Sequence, residues 1–136
     1  MTVERKQEEN WHIVGVIPEA IAKQIGLGEK TPVWISDKIA GHIADSHGKE
    51  LSQLRTTAIA FVHRVISGFN SVRRQKDGTM VLAIEGTNTA MVTYIKLELA
   101  NDNYWRVKSA HIRPTGQLAN ITLLWQKKQS KKPAIK

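Results

Sequence analysis

The stretch Ser36-Asp-Lys-Ile-Ala-Gly-His42-Ile-Ala-Asp-Ser-His47-Gly-Lys49-Glu-Leu51 places two imidazoles five residues apart. Histidine is the side chain whose ordinary pKa lies nearest neutrality, so a pair of them can supply a proton acceptor and a proton donor at pH 7. A third imidazole, His111, lies downstream and can take either part. Cations sit at alternating positions of the late strands: Lys96, with Tyr94 on its face, then Arg106 and Lys108 together on one face. Such a surface can hold phosphate and stack a base. Arg73 and Arg74 are adjacent, so on a strand they face opposite sides and at most one can join that surface.

Each of these features also has an ordinary structural explanation. Taken singly, His42 is a histidine with a satisfied hydrogen bond and His47 closes a helix, where the negative pole favours imidazolium. The basic strand residues are equally those of a solvated sheet. Metal binding is not expected. On an undistorted helix residues five apart lie about 140° apart, whereas one helix chelates a metal through histidines four apart. No P-loop, GxGxxG or EF-hand motif appears, no Ser-His-Asp arrangement has a recognisable spacing, and no cofactor is implied. With no cysteine in the chain, a thiol nucleophile, disulfides and cysteine-based zinc sites are excluded.

The elements that must position these groups are legible in outline. Trp11–Ile17 is a β-branched run and reads as a strand. Pro18 opens a short helix that closes at Gly26, and Pro32–Ile35 is a second strand. Ser36 can cap the next helix, Asp37 suits its first turn, and Gly48 fits its stop. Leu51, Leu54, Ala58, Phe61, Val62, Val65 and Phe69 recur at spacings of three and four, which predicts one amphipathic helix. Strands follow around turns at Lys76–Gly78, Gly86–Thr89 and Asn101–Asn103. The run Tyr104–Ala110 comes next, Arg113–Gly116 reads as loop, and Leu118–Trp125 as a last strand or a short helix. Helices first and an antiparallel meander second predict an α+β domain, with N-terminal helices packed on a C-terminal antiparallel sheet.

The chain has 136 residues, 41% of them hydrophobic, which suits a single domain over 11–126. Net charge is +8, favouring an acidic partner such as nucleic acid. Five lysines fall in the last ten residues and the first ten carry a net −1, leaving +4 for the body. Residues 1–10 therefore read as a polar arm and 127–136 as a basic, disordered tail. No apolar run is long enough to span a membrane and no signal-like segment opens the sequence. The expected location is the cytoplasm, or outside it by a route that leaves no N-terminal signal.

The order of parts resembles the barnase–EndoU–colicin–RelE ribonuclease superfamily, especially its phage- and mobile-element-associated branch. The resemblance covers roughly residues 32–126. It is carried by the early strand Val33-Trp-Ile35, the helix bearing His42 and His47, the helix ending at Phe69, and the late strand Tyr104-Trp-Arg-Val-Lys-Ser109-Ala110 leading to Leu123-Leu-Trp125. It implies a toxin- or effector-like endoribonuclease that cleaves RNA without metal, through attack by the ribose 2′-OH. On that analogy His42 and His47 are base and acid, with Lys96 and Ser109 beside the scissile group. Arg73, Arg74, Tyr94, Arg106 and Lys108 would hold substrate. An immunity or antitoxin protein would be a partner besides RNA. The alternative is a non-enzymatic nucleic-acid-binding domain using the same basic sheet face and tail.

Overall fold

The computed structural model describes residues 10–24, 31–99 and 103–127. Strand β1 is Trp11–Ile17, followed by helix α1 (Glu19–Gln24) and strand β2 (Thr31–Ser36). At Ser36 the chain turns into helix α2 (Asp37–Gln53), with Ser36 Oγ accepting from the Ile39 N–H at 3.1 Å. This supplies a partner to one of the donors that a helix start leaves open. Asp37 also pairs with His12 at 2.6 Å, which ties β1 to the start of α2.

Two expectations about the helices are corrected. Helix α2 does not stop at Gly48. It bends at His47, where φ is −130° and ψ 24°, and continues to Gln53. The stripe from Leu51 to Phe69 is likewise two helices, because α3 (Ala58–Gly68) starts afresh with Thr57 Oγ1 accepting from Ala60 N at 3.1 Å. Arg55 takes a positive φ of 55° in the break. The apolar spacing survives because both helices face the same core. Leu54, in the break, is the stripe member left 40% exposed.

Strands β3 (Ser71–Arg74), β4 (Met80–Glu85), β5 (Thr89–Leu99), β6 (Asn103–Pro114) and β7 (Thr122–Gln126) complete the sheet. The β3–β4 turn is held by Asp77 Oδ1 accepting from Thr79 N at 3.0 Å, with Gly78 at a φ of 90°. Arg113 and Pro114, expected in a loop, continue β6. The 3-10 turn Thr115–Asn120 follows, so Leu118–Trp125 is helical at its start and strand at its end. Residues 101–102 of the expected Asn101–Asn103 turn, 1–9 of the arm and most of the lysine tail lie outside the described residues.

The domain is α+β, with a mixed sheet of order β1-β2-β6-β5-β4-β3-β7. The sheet is thus not confined to the C-terminal half. β1 and β2 return to its edge, and β2 runs parallel to β6 through Val33–Trp105 and Trp34–Arg106. On one face Val33, Ile35, Leu82, Ile95, Trp105 and Val107 meet Phe61, Val62 and Val65 of α3. On the other, Val81, Ala83, Ala90 and Val92 pack with Leu118 of the 3-10 turn. Gly15 permits α3 to lie close to β1: a Cβ there would stand 2.5 Å from Ile66 Cγ2.

Candidate functional site

A β-bulge decides which side chains share a face. Tyr94 pairs with Ser109 and Ile95 with Val107, so Lys108 is an extra residue in β6. Unbroken alternation would put Arg106 and Lys108 on one face and Ser109, His111 and Arg113 on the other. The extra residue resets the parity, as bulges do when they re-aim side chains. Ser109, His111 and Arg113 then stand opposite Tyr94, Val92 and Ala90. They share the face of Lys96 and Arg106, away from α3.

Helix α2 supplies the other half of the site. β2 covers β6 only at Trp105 and Arg106, and α2 then packs against β6. The bend at His47 lays its ring on that of His111, with centroids 4.9 Å apart and planes at 22°. His111 stacks in turn on Tyr94 at 5.3 Å and 28°. Glu50 fixes this tier to the strand. Its Oε1 accepts from Ile112 N at 3.0 Å, filling the need of an N–H that a neighbouring strand would otherwise meet. Its Oε2 lies 3.7 Å from His47 Nδ1. His111 Nδ1 is 3.2 Å from the Ile112 carbonyl, which can only accept. The Nδ1 position therefore carries a proton, and Nε2 of the neutral ring is left as the acceptor. Arg113 donates to the Tyr94 hydroxyl through Nη1 and to Gln117 Oε1 through Nε at 3.3 Å.

Cations border the tier. Lys108 Nζ donates to Thr79 Oγ1 at 3.1 Å and stands 3.8 Å from Asp77 Oδ2. Hydrogen bonds from Thr79, and then the charges of Lys108 and Lys96, hold the Asp77 carboxyl below its usual range. Lys96 is exposed and pairs in register with half-buried Arg106.

Among the sequence-expected site residues, the structure gathers His47, Tyr94, Ser109, Arg106, Lys108 and Lys96 onto or beside one face. It does not gather the rest. His42 is exposed on α2, and its five-residue offset turns it away from His47. Arg73 lies on the right face, but its guanidinium is 3.3 Å from Glu85 Oε2 and donates to the Ile121 carbonyl at 3.1 Å. Arg74 pairs with Met80, whose side is that of the helices, and is exposed. One of the two adjacent arginines thus shares the face, as their adjacency implies, with its guanidinium held by Glu85. Sequence reasoning passed over Glu50 and Arg113. Glu50 follows His47 by three on the helix and Arg113 follows His111 by two on the strand, so both spacings were readable.

Among the described residues no group of three or more His, Asp and Glu side chains is placed to hold a metal ion. Among them, too, no helix is long and apolar enough to cross a membrane. Compared with known proteins, the chain matches no family model, no curated protein and no solved structure.

Proposed function

We propose that the protein is a metal-independent endoribonuclease, on the strength of one observation: two imidazoles in ring contact, one facing a carboxylate and one with a free Nε2, beside an arginine on a basic sheet face. His111 Nε2 takes the proton of a ribose 2′-OH, and the oxygen attacks the adjacent phosphorus. His47, whose Nδ1 stands 3.7 Å from the Glu50 carboxylate, gives a proton to the leaving 5′ oxygen. The P–O5′ bond breaks, and a 2′,3′-cyclic phosphate and a 5′-OH result. Arg113, Lys96, Arg106 and Lys108 offset the charge that gathers on the phosphoryl oxygens, while Ser109 and Tyr94 orient the group. Lys96 and Arg106 hold the flanking phosphates. The resemblance to the barnase–EndoU–colicin–RelE superfamily, in its mobile-element branch, favours a toxin-like effector acting on cytoplasmic RNA, with an immunity or antitoxin protein as its protein partner.

The test is incubation with total RNA in EDTA. Wild-type protein and His42→Ala release fragments ending in cyclic phosphate, while His47→Ala and His111→Ala are slower by about 10²–10⁴-fold, the usual worth of a positioned acid or base. Equal rates in all four sink the reading. The non-enzymatic alternative rests on the same basic face. It expects no cleavage, unaltered binding in both histidine variants, and a salt slope about one unit shallower for Lys96→Ala.

A further inference from the structure

The face of the sheet opposite the histidine tier holds an opening that the chemistry above does not use. Helix α1 has only 6 residues. It buries Ile21 and Ala22 but does not fill the space between itself, the last turn of α3 and β7. A cavity of about 380 Å³ remains there, within the range of about 300–1,000 Å³ usual for small-molecule sites. Pro18 and Ile21 line one side, Ile66 and Phe69 another, and Trp125 a third. Trp125 stands opposite Val72, on the helix side of the sheet. Its ring meets that of Phe69 at 5.7 Å, with the planes 79° apart. Two rings near a right angle form a corner. A third flat ring can stack on one and meet the other edge-on, the two arrangements that aromatic pairs prefer.

The charge at this cavity has one sign. Among the described residues lining it, Lys127 is the one charged side chain, and it is exposed. Its backbone is fixed by an N–H that donates to the Asn70 carbonyl at 2.8 Å. Among the described residues no carboxylate pairs with its ammonium. Glu19, the acid of α1, is 3.5 Å from Lys23 instead. Beyond Lys127 the sequence adds four more lysines and no acid. We propose that the cavity binds a small aromatic carboxylate, its ring in the Phe69–Trp125 corner and its anionic end toward Lys127. Ser67 also lines the cavity, and its hydroxyl can donate to the same carboxylate. A cationic ligand would meet the Lys127 charge, and a neutral one would gain nothing from it. The inference stands apart from the ribonuclease reading, because the cavity and the tier lie on opposite faces of the sheet.

The probe is 2-naphthoate, with uncharged 2-naphthamide as control, titrated into the full isotope-labelled chain and followed by NMR. The chain has 4 tryptophans, so the indole N–H signals are few, and Trp125→Phe identifies the one at the cavity. Naphthoate is expected to move the Trp125 signal saturably, with a Kd of about 1 mM or tighter, the efficiency usual for ligands of this size. Naphthamide is expected to bind about 2- to 5-fold more weakly, and Lys127→Gln to remove that difference, as the loss of an exposed ion pair should. Ala20 is exposed on α1 and lines the cavity, so a larger side chain there fills it without entering the core. Ala20→Phe should keep the urea midpoint and weaken naphthoate about tenfold. A Trp125 signal that stays still, as when chain or a second copy fills the cavity, overturns the proposal. So does a shift spread equally over the other indoles, which marks binding to the surface at large. Naphthamide as tight as naphthoate, or a folded Ala20→Phe variant that binds like wild type, overturns it too.

Discussion

Two glutamates, Glu85 on strand β4 and Glu50 on helix α2, have met opposite fates against this sheet. Glu85 accepts from the Ser71 hydroxyl and lies 3.3 Å from the Arg73 guanidinium, with Arg73 and Glu85 side chains only 11% and 14% exposed. Glu50 gives one oxygen to a backbone N–H and keeps the other 3.7 Å from His47, a pair 27% and 37% exposed. The first centre joins a guanidinium to a carboxylate almost out of water, where either partner left alone is costly. The second sets a carboxylate against an imidazole at a half-exposed edge. A buried pair holds its two partners on each other, and a half-exposed carboxylate–imidazole contact leaves both within reach of a substrate. The cluster that looks strongest by distance and burial is thus the one least suited to turnover.

Breaking each centre in turn gives the largest contrast. Arg73→Ala strands a buried carboxylate and should cost about 3–5 kcal/mol of stability by urea unfolding, with residual cleavage per folded molecule unchanged. Arg113→Ala should move the unfolding free energy by less than about 1 kcal/mol and slow cleavage about 10²–10³-fold, as expected of a donor aimed at developing charge. Matching losses in the two variants would erase the distinction.

Glu50 separates its own two duties. Glu50→Gln keeps an oxygen for Ile112 N but removes the charge facing His47. Cleavage at pH 7 should fall about tenfold, equivalent to about 1.4 kcal/mol, with the urea midpoint held. Glu50→Ala loses the strand contact as well and should cost about 1 kcal/mol of stability besides, since water at this half-exposed edge replaces part of the bond. A Gln variant as fast as wild type would make Glu50 a strand cap and nothing more.

The frame of the fold was legible because its signals are local. Trp11–Ile17 is a strand with the bounds its composition implies, Ser36 caps the helix it precedes, and Lys76–Gly78 turns the chain. The site was half legible. His47 and Tyr94 could be picked by residue type, but their meeting depends on a bulge at Lys108 and a bend at His47. Neither leaves a mark in hydrophobic spacing. Strict alternation sends Ser109 and His111 to the face opposite Arg106, so a period-two reading separates groups that the structure joins. The break at Leu54–Thr57 was hidden for a related reason. Two helices docking on one core repeat the spacing of a single helix, and Thr57 is the signal that divides them.

The His12–Asp37 pair offers a gentler version of the charge comparison, at an exposed position. The hydrogen bond from His12, and then one from Asn10, hold the Asp37 carboxyl below its usual range. A carboxylate whose folded pKa is depressed adds stability above its unfolded pKa, near 3.9, and loses it as pH falls through the folded value. Asp37→Asn should therefore narrow the difference between urea midpoints at pH 7 and pH 3. His12→Gln should narrow it less, because the Asn10 bond remains. An unaltered difference in Asp37→Asn would show that this contact adds nothing to acid sensitivity.

The smallest effect concerns a polar atom that belongs to neither centre. Thr93 is fully buried on β5, opposite Leu82 and Ala110 on the helix side, and its hydroxyl has no hydrogen-bond partner among the described residues. Burying a hydroxyl without a partner is unfavourable, whereas a methyl of the same shape only adds apolar contact. Thr93→Val should raise stability by about 1 kcal/mol and leave cleavage untouched, since this face of β5 looks away from the tier. A loss of stability would mean that the hydroxyl is satisfied in solution by a water held in the core. The mostly buried Glu85, held by charge, would then have a counterpart kept in place by solvent.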